Sequence, residues 1–283
     1  MKNKVLNGFF PLVDNIFRRI DRKHIRRTKN IRRIPEFKNR RGGKLSYAEW
    51  AHVIGIFQTI IYQNLKKKRS NHILDIGCGT GLLGISSEPF TCDGGTYTGI
   101  DVMKYDINYC SSHYTGSNYD FIHFDVVNPS YASDQNVELA PWPVEDESKD
   151  LITALSVWTH LSEQHARYYF KEIHRVLKKE GRAILTFFYL DDTYIDSLSI
   201  RKNQIGRFHS TNQNQWIFDK KAYDSSEWYA PKWVKNPEDA IGITPKGMET
   251  LIRDTKLKLV EYYPGNWKEQ PGVFFQDILI FEK

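Results

Sequence analysis

With 283 residues, 40% hydrophobic and 14% aromatic, the chain is long enough to bury one substantial core and to carry an extension beside it. Its three cysteines, Cys78, Cys92 and Cys110, form no CxxC pair and leave an odd number, which excludes a disulfide framework and a metal knuckle and suits a reducing compartment. The net charge of +6 hides an asymmetry: residues 1–44 hold 15 cations and 3 acids, +12, while the other 25 cations and 31 acids leave the rest at −6.

No apolar run approaches the roughly 18 to 20 residues of a membrane span, and the N-terminal patch VLNGFFPLV lacks a small-residue cleavage site, so a cytoplasmic protein is expected. Within residues 1–44, Val5, Leu6, Phe9, Phe10, Leu12, Val13, Ile16, Phe17 and Ile20 fall largely at helical spacing, and a run from Arg18 to Arg33 follows. Such a segment suits an anionic membrane surface, peripheral to its inner face, or a lipid-linked substrate presented there. A solvated helix packed on the body is the competing reading. Nucleic acid is the weaker third, because no base-stacking aromatics interleave the arginines. From Ser46, SYAEWAHVIGIFQTIIYQNLKKK predicts a helix with Ser46 as N-cap, Glu49 at the capping-box position and an apolar stripe of Tyr47, Trp50, Ile54, Phe57 and Ile61.

The stretch HILDIGCGTGLLG, residues 72–84, predicts a buried strand that gives way at Gly77 to a tight turn and then a helix start. Gly77, Gly79 and Gly81 let the backbone take positive φ and let a ligand approach closely. Gly79, Gly81 and Gly84 also spell the dinucleotide GxGxxG, but Asp75, two residues before the first glycine, would repel a pyrophosphate and attract an ammonium or sulfonium. With this acid, these glycines and this strand-to-helix setting, the sequence resembles the class I S-adenosylmethionine-dependent methyltransferases. The resemblance implies S-adenosyl-L-methionine as cofactor, contacted by Asp75, Gly77, Cys78, Gly79 and Gly81. It also implies that Tyr47, Trp50 and Gln58 of the preceding helix cover the pocket, although core packing explains most of that stripe.

A second strand, TYTGID, ends in Asp101, 20 residues beyond Gly81, the separation at which a carboxylate meets a ribose in open α/β sheets. An N-cap for the next helix is the alternative for Asp101; Val102 and Met103 would flank the adenine. A third strand, DFIHFDV, carries Asp125, which matches the family's acceptor for the adenine amine, with Val126 beside it. The fourth, LITALSV, reads as a central parallel strand, and its carboxyl end places Ser156 at the cofactor and His160 in the crevice. Methyl transfer to a hydroxyl requires loss of a proton, which makes His160 the general-base candidate, against a histidine that caps the following helix or hydrogen-bonds the loop backbone. Ser162 then predicts an N-cap, with Gly181 as the helix stop and a fifth strand beyond it.

From about 191 to 243 the chain leaves the alternation of strand and helix and carries Phe208, His209, Trp216, Phe218, Tyr223, Trp228, Tyr229 and Trp233 among amides and hydroxyls. These suit an aromatic lid over the crevice that stacks on sugar rings, or equally a satellite core of their own. No metal is expected; Asp191, Asp192 and His209 are a weak alternative. A helix from Pro245 to Thr255 and strands LKLVEYY and FQDILIFEK close the chain as a hairpin.

The expected fold is α/β, a Rossmann-like seven-stranded methyltransferase sheet, mostly parallel with an antiparallel C-terminal strand and flanked by helices. Residues 1–44 form a basic amphipathic extension; residues 45–283 form the methyltransferase domain. The passage from Ser46 to Leu190 and the QDILIF ending resemble bacterial methyltransferases of polysaccharide and glycolipid biosynthesis. This implies in-line methyl transfer to a sugar hydroxyl in a glycan or lipid-linked glycan. A small-molecule or lipid N- or O-methyltransferase, a cofactor-binding module without turnover at the membrane, and a NAD-dependent dehydrogenase are the alternatives.

Overall fold

A computed structural model describes residues 2–24, 30–42, 46–126 and 139–283. Helix α1 (Lys2–His24) is followed by two 3₁₀ turns, Asn30–Arg33 and Phe37–Asn39, that form a strap. Helix α2 (Tyr47–Asn64) starts where Ser46 Oγ accepts the Glu49 N–H at 3.0 Å. Next come β1 (His72–Ile76), α3 (Leu82–Ser87), β2 (Thr96–Asp101), α4 (Lys104–His113), β3 (Tyr119–His123), β4 (Lys149–Ala154), α5 (Glu163–Val176) and β5 (Leu177–Tyr189). An insertion holds α6 (Asp192–Leu198), β6 (Phe218–Lys221), β7 (Trp228–Pro231) and β8 (Gly242–Ile243). Helix α7 (Pro245–Thr255), β9 (Lys258–Tyr263) and β10 (Asp277–Glu282) complete the chain.

The central sheet runs β3-β2-β1-β4-β5-β10-β9, and β10 alone is antiparallel to its neighbours. Strand order reverses between β1 and β4, so a crevice opens at their carboxyl ends. Alternation along the strands builds both helix layers. Ile73, Leu151, Ile184 and Ile280 pack with Trp50, Phe57 and Ile61 of α2, whereas their neighbours Leu74, Ile152, Leu185 and Phe281 pack with Phe170 and Ile173 of α5 and Leu251 of α7. Among the described residues no helix is long and apolar enough to cross a membrane.

Two features depart from the sequence expectation. Helix α5 stops at Val176, not at Gly181, because the Arg175 and Val176 carbonyls accept from Glu147 N and Ser148 N and Leu177 already pairs with Lys149; residues 178–181 are a bulge within β5. The insertion joins the sheet as a three-stranded annex, with Phe188 and Tyr189 of β5 paired to Gly242 and Ile243 of β8. Its Trp216 and Phe218 pack with Phe188, Tyr194 and Trp267 into a satellite core, which is the second of the two readings of its aromatics. The strap of residues 30–42 is held to the body: Asn30 Nδ2 donates to the Ile85 carbonyl at 2.8 Å and Thr80 Oγ1 to that of Asn39 at 2.6 Å.

Candidate active site

The turn after β1 is possible only with glycine at its corners. Gly77 and Gly81 have φ of +65° and +87°; a Cβ would lie 2.6 Å from Val157 Cγ2 at the first and 2.3 Å from the Tyr114 hydroxyl at the second. The turn is fixed from β2: Gly77 N and Cys78 N both reach the Ile100 carbonyl, at 2.8 and 3.1 Å. Asp101 then braces two loops, its Oδ2 accepting from Gly79 N at 2.7 Å and its Oδ1 from Met103 N at 2.8 Å. Burial pushes the Asp101 carboxyl up, and these two backbone N–H groups pull it back. Met103, with no side-chain bond of Asp101 to the helix beyond, is the N-cap of α4.

Asp75 is 1% exposed and lies between two hydroxyls, with Tyr97 donating to Oδ2 at 2.5 Å and Thr153 to Oδ1 at 2.8 Å. Burial raises its carboxyl to about 7 against both hydrogen bonds. A cation arriving next to it would favour the ionised form, so the site has a stored response to positive charge.

At the crevice a cavity of about 310 Å³ opens, the size of a small ligand site. Its wall holds Asp75, Gly77, Cys78, Gly79, Asp101, Val102, Met103, Val126, Ser156 and His160 of the residues expected from the sequence. Gly81 stands behind the turn, off the wall. Asp125 is also off it, because β3 ends at His123 and Val126 N turns back to the Phe124 carbonyl at 3.0 Å. Phe124 and Val126 therefore reach the wall, and Asp125 between them does not. Of the α2 stripe, Trp50 reaches the wall; Tyr47 and Gln58 do not, and neither does any insertion aromatic.

Ser156 and His160 follow β4. Ser156 takes a left-handed φ of +63°, a strain held by Ser156 N donating to Thr186 Oγ1 at 2.7 Å and Gln276 Nε2 donating to Ser156 Oγ at 2.6 Å. His160 ends the 3₁₀ turn Trp158–His160; the N-cap of α5 is Ser162, so His160 is not that cap. A carbonyl can only accept, so the 2.5 Å contact of His160 Nδ1 with the Glu238 carbonyl puts the proton on Nδ1 and the lone pair on Nε2. Burial lowers its pKa from 6.5 and keeps it neutral.

Sequence reading missed Arg41, Trp158, His165 and Tyr169 on the wall. Trp142, visible only within the stretch leading to β4, stacks on Tyr169 at 5.5 Å and 6°. Trp158 has a buried indole N–H without a hydrogen-bond acceptor among the described residues. Arg41, invisible without the strap's path, grips Asp106 through Nε and Nη2 at 2.7 to 3.0 Å. Among the described residues no group of three or more His, Cys, Asp or Glu could hold a metal.

A parallel sheet reversing at β1 and β4, a glycine turn facing a buried acid, and one reversed strand next to the edge define the class I methyltransferase fold; a plain dinucleotide domain has no such reversed strand. Residues 74–185 match the methyltransferase domain family. Residues 74–185 thus form a methyltransferase domain, and the chain is a methyltransferase that uses S-adenosyl-L-methionine. A putative sarcosine dimethylglycine methyltransferase from Galdieria sulphuraria shares the fold, with a TM-score of 0.50 and 13% identity over 82% of this chain and 86% of that one. A Methanosarcina mazei S-adenosylmethionine-dependent methyltransferase is 18% identical over 79% of this chain and 96% of its own, with a TM-score of 0.47. The 1,6-didemethyltoxoflavin-N1-methyltransferase of Burkholderia thailandensis, solved with S-adenosylhomocysteine, is 14% identical over 84% and 80%, with a TM-score of 0.47.

Proposed function

We propose that this methyltransferase methylates a hydroxyl of a sugar in a glycan or lipid-linked glycan, at the inner face of an anionic membrane that residues 1–44 engage. The observation that carries the reading is His160, a neutral imidazole on the cavity wall whose Nδ1 proton goes to the Glu238 carbonyl, which makes Nε2 its basic nitrogen. When bound, the cofactor supplies a methyl group on a sulfonium, so the leaving group is already activated and alignment and proton removal are left to the protein. Gly77, Cys78 and Gly79 are assigned to cradle it from turns that a Cβ at Gly77 would close. Of the other wall residues, Asp75 would meet its positive charge, Asp101 would take the ribose hydroxyls on its remaining lone pairs, Val102, Met103 and Val126 would border the adenine, and Ser156 would lie at the methionine side. His160 would take the acceptor hydroxyl's proton as that oxygen bonds to the methyl carbon and the carbon–sulfur bond breaks, the thioether S-adenosylhomocysteine being the leaving group. Trp142 and Tyr169, buried and stacked on each other, form an apolar part of the wall against which an acceptor would rest.

A second reading, a small-molecule or lipid N- or O-acceptor, is favoured by one observation: the insertion's aromatic faces lie off the cavity, so nothing there demands a long glycan. Methyl-labelled cofactor separates the readings. Label is expected in glycan or glycolipid extracts; label in protein or RNA with those extracts blank would sink the sugar reading, and no S-adenosylhomocysteine over a broad acceptor panel would leave a binding module. In the active case His160→Gln should cut kcat about 10²- to 10⁴-fold with cofactor affinity kept. Wild-type kcat/KM should rise with pH to a plateau whose midpoint lies below 6.5, because only the neutral imidazole accepts the proton and burial depresses its pKa.

A further inference from the structure

Helix α1 is packed inside out. Its inward face is charged: Asp14 is buried with Oδ2 paired to Arg40 Nη1 at 2.6 Å and Oδ1 accepting Tyr47 N at 2.9 Å, and Arg18 pairs with Glu36 at 3.2 Å. Its outward face is apolar: Phe9, Phe10, Leu12, Ile16, Phe17 and Ile20 are 44 to 65% exposed. At the helical 100° per residue these six side chains span an arc of about 160°. A helix that meets only water turns the opposite way, and an exposed apolar stripe of this width marks a binding face.

We infer that this face docks on an anionic lipid surface and that docking tightens cofactor binding through the strap. Charge selects the lipid. Arg19 and Lys23 stand exposed along one margin of the stripe in a segment of net +12, which attracts anionic headgroups and would repel a second copy of itself. The coupling follows from where Asp14 leads. Its partner Arg40 adjoins Arg41 and Gly42, which are part of the cavity wall; Asn39 accepts from Thr80 of the glycine turn; and Arg41 holds Asp106. In water α1 is a low-stability element, since its apolar side is wet. Removing that side from water stabilises the helix, and with it the Asp14–Arg40 pair and the wall beyond. Reciprocity then requires the cofactor product to tighten lipid binding by the same factor.

This inference rests on the membrane clause of the proposed function and not on the sugar acceptor. The test uses the full chain with vesicles of phosphatidylglycerol and phosphatidylcholine, and with phosphatidylcholine alone. Co-sedimentation should need phosphatidylglycerol and weaken with salt. S-adenosylhomocysteine affinity by calorimetry should rise on the order of fivefold or more with the anionic vesicles. The surface variant I16E/F17E should lose co-sedimentation yet keep its lipid-free affinity for S-adenosylhomocysteine, whereas Asp14→Asn should still co-sediment and lose the shift. No co-sedimentation, or equal binding to neutral vesicles, overturns the docking. A wild-type dimer that I16E/F17E dissociates makes a second copy the occupant and also overturns it. Vesicle binding with unchanged S-adenosylhomocysteine affinity overturns the coupling and leaves the membrane reading standing; the sugar acceptor enters none of these measurements.

Discussion

The strap of residues 30–42 and the insertion of residues 191–243 are built in opposite ways: the first lines the cavity, and the second lies off its wall. The strap buries Ile34 and otherwise holds on through polar contacts, such as Asn30 on Ile85 and Arg41 on Asp106, yet it supplies Arg41 and Gly42 to the cavity wall. The insertion buries Tyr194, Trp216, Phe218 and Trp228, yet none of its aromatics lines the cavity, and it meets His160 through the backbone carbonyl of Glu238. Buried apolar area measures what a segment adds to stability, not what it shows to a ligand. The basic segment therefore shapes the cavity, and the aromatic one holds it up.

That contrast is broken most severely at Lys268, between β9 and β10. Its ammonium, fully buried, pairs with Asp191 at the N-cap of α6 and with Asp277 of β10, at 2.8 and 2.9 Å, and donates to the Tyr262 hydroxyl at 2.6 Å. Lys268→Met would leave two carboxylates in a dry site, and loss of one partner from a buried pair costs roughly 3 to 5 kcal/mol. For a chain of this size that is a fall in melting temperature on the order of 10 °C. Denaturant unfolding gives the loss, and titration of the folded protein with S-adenosylhomocysteine gives the contrast. Affinity within twofold of wild type is expected; a collapse of affinity in folded protein would mean that the insertion shapes the cofactor site after all.

The legibility of the chain followed the range of the interactions that fix each part. Asp75, the glycine turn and Asp101 stand at the carboxyl ends of β1 and β2, and the apolar runs that mark those strands are readable in the sequence. The order of the sheet was accessible for the same reason: alternating apolar runs with helix caps at Ser46, Ser162 and Thr244 leave few arrangements. Asp125 lies off the wall because a turn of one residue, Val126 back to Phe124, decides which side chains face the cavity, and strand periodicity carries no such information. Arg41 failed because its role depends on Asp106, 65 positions away. The insertion's aromatics were equally consistent with a ligand face and a core; only Trp267 and Phe275, from beyond α7, complete that core.

A change of intermediate size sharpens the comparison from the glycine turn, which both segments surround. Asp101→Asn keeps the shape but replaces one acceptor oxygen with an amide, so either Gly79 N or Met103 N then faces a donor. A lost hydrogen bond to a charged acceptor is worth about 1.5 to 3 kcal/mol, and a tenfold to hundredfold drop in S-adenosylhomocysteine affinity is expected. The measurement is calorimetry at neutral pH. Unchanged affinity would remove Asp101 from both its tasks, bracing the turn and meeting the ribose.

The mildest change probes the strap itself. Arg41→Lys retains the charge beside Asp106 but gives up the fork that now contacts both carboxylate oxygens, and a point ammonium cannot replace planar, two-nitrogen recognition. Because the Arg41 side chain is 38% exposed, solvent screens the pair, and a cost of only about 0.5 to 1 kcal/mol is expected. If the strap works on the cavity and not on stability, that cost should appear as a several-fold weaker S-adenosylhomocysteine affinity with a melting temperature shifted by less than about 4 °C. The opposite pattern, unchanged affinity and a larger thermal loss, would place Arg41 with the insertion as scaffolding and would cut the route by which α1 reaches the cofactor.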